Sequence, residues 1–177
     1  MFGFDREINE LKEKYRKLLW DSNFGVHSRA GLDELNGDIK GKYKTVAFID
    51  FDGVHELNKK YGYEEVNRRI SATLREISKV TDVFVARWFS GDELVVLSRH
   101  DAEKTERLVA AASLIGLVVY DTEFTYYVEE WDGETHLNNF IDSMSHKVAD
   151  IKKIKSSEKQ VVRYFGKHRG KPNSNAN

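Results

Sequence analysis

The run Lys44-Thr45-Val46-Ala47-Phe48-Ile49-Asp50-Phe51-Asp52-Gly53 constrains the fold more than any other stretch of the chain. An unbroken apolar series that closes on acids and glycine reads as a central strand covered on both faces. Strand alternation then puts Asp50 and Asp52 on one face and Phe51 on the other.

A second pair of apolar runs, Val83-Phe84-Val85-Ala86-Arg87-Trp88 and Val95-Val96-Leu97, flanks Phe89-Ser90-Gly91-Asp92-Glu93-Leu94. Small residues between two such runs are hairpin chemistry, because glycine takes positive φ without steric cost. Asp92 and Glu93 therefore sit at a hairpin tip. Carboxylates on a rigid β-tip suit a hard cation better than a core, since Mg²⁺ binds through one or two protein carboxylates plus substrate phosphates.

The 177 residues suffice for one domain with a real core. Residues 1–20 read as an N-terminal amphipathic helix, with Ile8, Leu11, Tyr15, Leu18 and Leu19 in one stripe from Glu7 to Trp20. That stripe either docks on its own domain or pairs two protomers. Gly25 and Gly31 read as breakers, followed by a short helix near Leu32 to Leu35. Helices are expected over Glu64 to Ile77, Ala102 to Ile115 and Leu137 to Ile154. Leu117 to Tyr120 and Phe124 to Trp131 read as a second strand pair, and Gln160 to Phe165 as a final strand. The tail over residues 166–177 reads as disordered.

This order suits an α+β fold with a β-α-β-β core and a mainly antiparallel central sheet covered by helices. Such a core brings the end of the first strand beside the tip of the following hairpin, and so Asp50 beside Asp92 and Glu93. Two carboxylate sources converging from different strands suit one or two Mg²⁺ ions that clamp a triphosphate and activate a hydroxyl nucleophile. Polymerase palms and nucleotidyl cyclases work this way.

Bulk properties narrow the classes further. With 28 Lys and Arg against 29 Asp and Glu, a net charge of -1 gives no basic field for a nucleic-acid polymer. The absence of cysteine excludes disulfides, thiolate chemistry and cysteine-based zinc sites. No apolar run approaches a membrane span, and the start reaches charge too soon for a signal peptide. A cytoplasmic protein with neither membrane nor polymer partner is the expectation.

Three ordered segments resemble the GGDEF family of diguanylate cyclases, over about Asp21 to Phe165. Asp21-Ser22-Asn23-Phe24-Gly25-Val26-His27-Ser28-Arg29 is similar to D-x-L-T-G-L-x-N-R at its first Asp, its Gly and its Arg. Asp50-Phe51-Asp52-Gly53-Val54-His55-Glu56-Leu57-Asn58 resembles D-x-D-x-F-K-x-x-N, and Ser90-Gly91-Asp92-Glu93-Leu94 falls on the signature. The resemblance implies a palm-like cyclase domain that condenses two NTPs, GTP favoured, into a cyclic dinucleotide such as cyclic di-GMP, releasing pyrophosphate. It implies a homodimer with one NTP per protomer, and Mg²⁺ or Mn²⁺ held by Asp50, the Phe51 carbonyl, Asp92 and Glu93. Asp92 falls on the proton-acceptor position, with Glu93 the adjacent catalytic acid, and Asn58 on the residue that contacts guanine.

Departures from the pattern bear on the substrate. Ser90 and Leu94 replace Gly and Phe of the signature, and His55 stands where a lysine near the phosphates is usual. Asn67 occupies the position of an aspartate that accepts from guanine, and an amide also fits the donor-acceptor edge of adenine, so the base stays open. Lys147, Lys152 and Lys153 are candidates for a phosphate-contacting lysine, and Lys152 is taken forward. The alternative function is a degenerate domain that binds a nucleotide or a protein partner without turnover.

Overall fold

The computed structural model describes residues 2–35, 39, 41–89 and 91–168. Ser90 and, of the tail expected over 166–177, residues 169–177 lie outside the described residues, while 166–168 fall within the last helix. In chain order the elements are α1 (Phe2–Leu18), β1 (Trp20–Asp21), β2 (Val26–His27), α2 (Arg29–Leu35), β3 (Thr45–Asp52), α3 (Val54–Tyr61), α4 (Tyr63–Ser78), β4 (Val83–Arg87), β5 (Glu93–Ser98), α5 (Ala102–Ile115), a π-helical turn (Gly116–Tyr120), β6 (Glu123–Glu130) and α6 (Leu137–His168). The strands form one sheet in the order β1-β2-β4-β5-β3-β6. The α+β class and the hairpin of β4 and β5 match the sequence reading. Among the described residues only the β2 and β4 contact, at His27 and Ala86, is parallel.

The apolar run of β3 is buried because it is flanked by β5 and β6 and sandwiched between helices. Ala47, Ile49 and Phe51 pack with Val66, Ile70, Leu74 and Ile77 of α4 and with Val109 and Ala112 of α5. Val46 and Phe48 point the other way, onto Leu32 of α2 and Ile141, Met144 and Val148 of α6. Asp50 and Asp52 continue this second face beyond the apolar residues. They emerge where α6 crosses the end of the sheet.

Two expected strands are not strands. Leu117 to Tyr120 prolongs α5 as a π-helical turn, with Leu117, Val118 and Val119 at 53%, 74% and 63% exposure. The turn is fixed by the Thr122 amide donating to the Gly116 carbonyl at 3.0 Å and by left-handed Asp121, which accepts from the Tyr61 hydroxyl at 2.7 Å. β6 pairs with β3 instead of with this segment. Gln160 to Phe165 belongs to α6, since no glycine or proline interrupts the chain from Leu137 to Phe165. Conversely, Val54–Tyr61 forms a short helix beyond the expected ones, its eight residues packing Val54, Leu57 and Tyr61 against the core.

α1 stands apart, with every residue from Gly3 to Leu18 exposed. It meets the domain at its C-terminal end, at β1, where the Leu18 carbonyl accepts from the Ser28 hydroxyl, and Tyr15 hydrogen-bonds Glu34 of α2. No helix among the described residues is long and apolar enough to cross a membrane.

Gly25 serves as the expected breaker, at φ 66°, but Gly31 has another role. It lies inside α2, where a Cβ would sit 2.5 Å from the Leu19 carbonyl oxygen and 3.2 Å from the His27 side chain. The segment leading to the hairpin closes on this point of contact. Gly31→Ala is expected to destabilise the protein by about 1–3 kcal/mol through forced backbone displacement. Thermal denaturation should show a fall of roughly 3–10 °C, while Gly3→Ala, with open space around it, should not lower the midpoint.

Candidate functional site

The site forms where β3 ends, because the register of the sheet lines up acids from three strands. Asp50 lies opposite Glu93 of β5 and opposite Thr125 of β6, and Asp52 lies opposite Glu123. The Phe51 amide donates to the Asp92 carbonyl at 3.2 Å, which extends the ladder to the hairpin tip. Asp50, Asp92 and Glu93, expected to converge, do so.

The charge is unevenly balanced. Burial first, and the Asp50 charge second, push the Asp92 carboxyl above its ordinary value. Glu93 is raised in the same way, by burial, then by Asp50, with Asp92 and Asp142 adding to it. Asp52 goes the other way: burial would raise it, but hydrogen bonds from Lys155, Lys152 and Thr125 outweigh burial and hold it below the usual carboxylate range. Arg87 and Lys152 thus offset only part of the burial and like-charge cost at Asp92, and Lys152 only part of it at Glu93, whereas the cost at Asp52 is more than offset.

The compensating cations come from α6. Lys152 Nζ lies 2.8 Å from Asp50 Oδ1 and 3.1 Å from Asp52 Oδ1, and it donates to the Phe51 carbonyl at 3.1 Å. Lys155 Nζ reaches Asp52 Oδ2 at 3.0 Å, Thr125 Oγ1 at 3.0 Å and Glu123 Oε1 at 3.3 Å. Lys159 closes the series on Glu123 at 3.2 Å. These lysines, spaced three and four residues apart, share one helix face. They border a cavity of about 300 Å³ lined by Asp52, Gly53, Thr125, Lys152, Lys155, Ser156 and Lys159.

Of the candidate phosphate lysines, Lys152 is at the site, whereas Lys147 pairs with Glu129 at 2.6 Å and Lys153 with Asp150 at 3.5 Å. Lys155 and Lys159 were not anticipated. Their signal is the spacing from Lys152, readable only once the helix is known to run past residue 154.

Asn58 and Asn67 lie on α3 and α4, which meet at Gly62 and pack together. Asn58 Oδ1 is buried without a hydrogen-bond partner, an unmet acceptor on a helix bordering the site. Asn67 is half-buried beside buried Val66, and His55 is exposed on the first turn of α3.

The hairpin is held from behind by the segment containing Asp21. Arg87 pairs with Asp21 Oδ2 at 3.0 Å, lies over the Phe24 ring at 4.2 Å and donates to the Gly91 carbonyl beside Asp92. Arg29 donates to the Trp88 carbonyl at 2.9 Å and stacks 3.8 Å from the Trp88 ring. Two guanidinium groups thus fix both arms of the turn.

The donor set fits a divalent cation. Asp50, Asp52 and the Phe51 carbonyl offer hard oxygens that already surround one cationic group, the Lys152 ammonium, and Asp92 and Glu93 add charge that a cation would relieve. Among the described residues no three carboxylate or imidazole groups form a ready-made metal cluster with the side chains as they stand.

No family profile and no curated protein sequence matches the chain. Solved structures do. The coiled coil and GGDEF domain of DgcB from Caulobacter crescentus, in complex with c-di-GMP, aligns over 85% of this chain and 89% of that one, with a TM-score of 0.71 and 14% identity. The DgcB GGDEF domain alone covers 76% of this chain and 88% of its own, at a TM-score of 0.63 and 13% identity. Diguanylate cyclase SiaD from Pseudomonas aeruginosa, solved with its activator SiaC, aligns over 85% of this chain and 64% of that one, at a TM-score of 0.63 and 15% identity. Over most of its length, this chain has the fold of GGDEF diguanylate cyclase domains.

Proposed function

We propose that the protein is a nucleotidyl cyclase that condenses two NTPs, GTP favoured, into a cyclic dinucleotide with release of pyrophosphate. The observation that carries this reading is the convergence of Asp50, Asp52 and the Phe51 carbonyl on one ammonium, with Glu93 opposite Asp50, beside a cavity walled by three lysines. Asp50, Phe51, Asp92 and Glu93 hold Mg²⁺ or Mn²⁺, which when bound neutralises phosphate charge and lowers the pKa of a 3′-hydroxyl. Asp92 accepts the hydroxyl proton, its raised pKa bringing it closer to working pH. Lys152, Lys155 and Lys159 take the phosphates, and Asn58 offers its unpaired Oδ1 to a donor on the base.

Incubation with each NTP, singly and mixed, with Mg²⁺ or Mn²⁺, followed by chromatography, tests the reading. A cyclic dinucleotide is the expected product, reduced at least about a hundredfold in Asp50→Ala and Asp92→Asn. No product from any NTP or pair would sink it, and would leave nucleotide binding without turnover, the reading that Lys152 seated among the acids favours.

Asp92 should also show a conflict between function and stability. An acid whose folded pKa is raised contributes stability below its unfolded pKa, near pH 4, and loses it as pH rises through the folded value. At pH 7 the ionised side chain is therefore a net cost. Asp92→Asn is expected to raise the melting temperature by roughly 1–3 °C at pH 7, with the gain gone near pH 3.5. An unchanged difference across that range would refute the assignment.

Catalysis between two bound NTPs calls for two protomers, and α1 supplies the means. Phe4, Ile8, Leu11, Tyr15 and Leu18, spaced 4, 3, 4 and 3 apart, are 73%, 38%, 64%, 47% and 67% exposed. That is the period of a two-stranded coiled coil. Leu11→Glu should weaken dimerisation at least about tenfold by analytical ultracentrifugation. A wild-type chain that remains monomeric with NTP analogue bound would count against the dimer.

A further inference from the structure

The position of Lys152 has a meaning beyond that of a phosphate-binding lysine. Its ammonium sits on Asp50 Oδ1, Asp52 Oδ1 and the Phe51 carbonyl, at 2.8, 3.1 and 3.1 Å, and so occupies the oxygens that a divalent cation needs. Cation and ammonium cannot both take the point at which those three oxygens converge. The carboxylates are spread around an N–H donor at hydrogen-bonding distance, whereas Mg²⁺ draws its ligands to about 2.0–2.1 Å. The lysine must leave before the acids can close.

It has somewhere to go. The side chain also lines the cavity of about 300 Å³ in which Lys155 and Lys159 stand, Lys155 paired with Asp52 of the same lining and both lysines with Glu123 of β6. A triphosphate entering that cavity offers Lys152 an anion to replace the two it gives up. Lys155 need not follow it, since its contacts are to Asp52 Oδ2, Thr125 Oγ1 and Glu123 Oε1, at 3.0, 3.0 and 3.3 Å, none of them an oxygen that Lys152 covers, and from there it still faces the cavity.

Resting on the nucleotide reading of this site, we infer that Lys152 is a shared ligand that couples the divalent cation to the nucleotide. In the nucleotide-free protein it blocks the cation position. When a triphosphate enters the cavity Lys152 moves onto it, and the vacated oxygens take the metal. Metal alone therefore binds weakly, and the two ligands bind as a coupled pair, with a coupling of the usual order of about 5–150-fold.

The test reads binding, so it is independent of turnover. Mn²⁺ affinity of the nucleotide-free protein is measured by electron paramagnetic resonance of free Mn²⁺, and affinity for a fluorescent triphosphate analogue is measured in EDTA. Lys152→Met and Lys152→Gln should each bind Mn²⁺ at least tenfold more tightly than wild type and the analogue at least fivefold more weakly. Lys153→Met, which removes the same charge from an exposed neighbour paired with Asp150, should stay within twofold on both.

Unchanged or weaker Mn²⁺ binding in both Lys152 variants overturns the inference. An equal gain in Lys153→Met also overturns it, since net charge would then suffice. Undiminished analogue binding overturns the shared role. A chain that makes no product yet shows both shifts loses the cyclase reading and keeps this one, and an active chain without them does the reverse.

Discussion

The antiparallel ladder between β3 and β5 is the constraint on which the rest depends. Its pairs run from Thr45 and Ser98 to Asp50 and Glu93, and the same strand is paired on its other edge from Thr45 and Glu130 to Asp52 and Glu123. Because the side-chain period of a strand is two, a slip of one residue would turn Phe51 outward and drive Asp50 and Asp52 into the α4 and α5 core. Burial of Ala47, Ile49 and Phe51 on one face and of Val46 and Phe48 on the other excludes that slip. Hydrophobic packing in the middle of the strand thus dictates where the acids at its end must stand.

Placing like charges opposite one another has a cost that the fold meets unequally. Asp52 is matched by Lys152, Lys155 and Thr125, and its carboxyl is held low. Among the described residues Asp92 and Glu93 have no comparable hydrogen-bonded cation, and their carboxyls are pushed up. Their backbone is nevertheless fixed, since Arg87 grips the Gly91 carbonyl and Arg29 the Trp88 carbonyl. Rigid backbone with unbalanced side-chain charge is the condition in which a bound cation contributes most, because little ordering remains to oppose it.

The parts of the fold legible in the sequence are those whose local pattern and tertiary environment agree. β3, the β4 and β5 hairpin, α4 and α5 carry a clear period and are buried where that period says. The misreadings fall where a segment is exposed or takes its conformation from distant partners. Leu117 to Tyr120 has the composition of a strand, but Gly116 tucked against Thr73 and Thr122, with left-handed Asp121, makes it a π-helical turn. α3 does place Val54, Leu57 and Tyr61 at helical spacing against the core, but at eight residues it is too short for that period to stand out.

The site divides along the same line. Its carboxylates are fixed by strand register and turn chemistry, which are local and can be read from residues 44–53 and 83–97. Its cations depend on the rotation of α6 about its own axis. That rotation is set by Leu137, Ile141, Met144 and Val148 packing under the sheet, many residues before the lysines it delivers. Carried along the helix from those anchors, the apolar face becomes a basic one at Lys152, Lys155 and Lys159, where the sheet below changes from Phe48 to Asp50 and Asp52. The same helix face serves as core at one end and counter-charge at the other, so the sheet surface beneath decides which residue type each position requires.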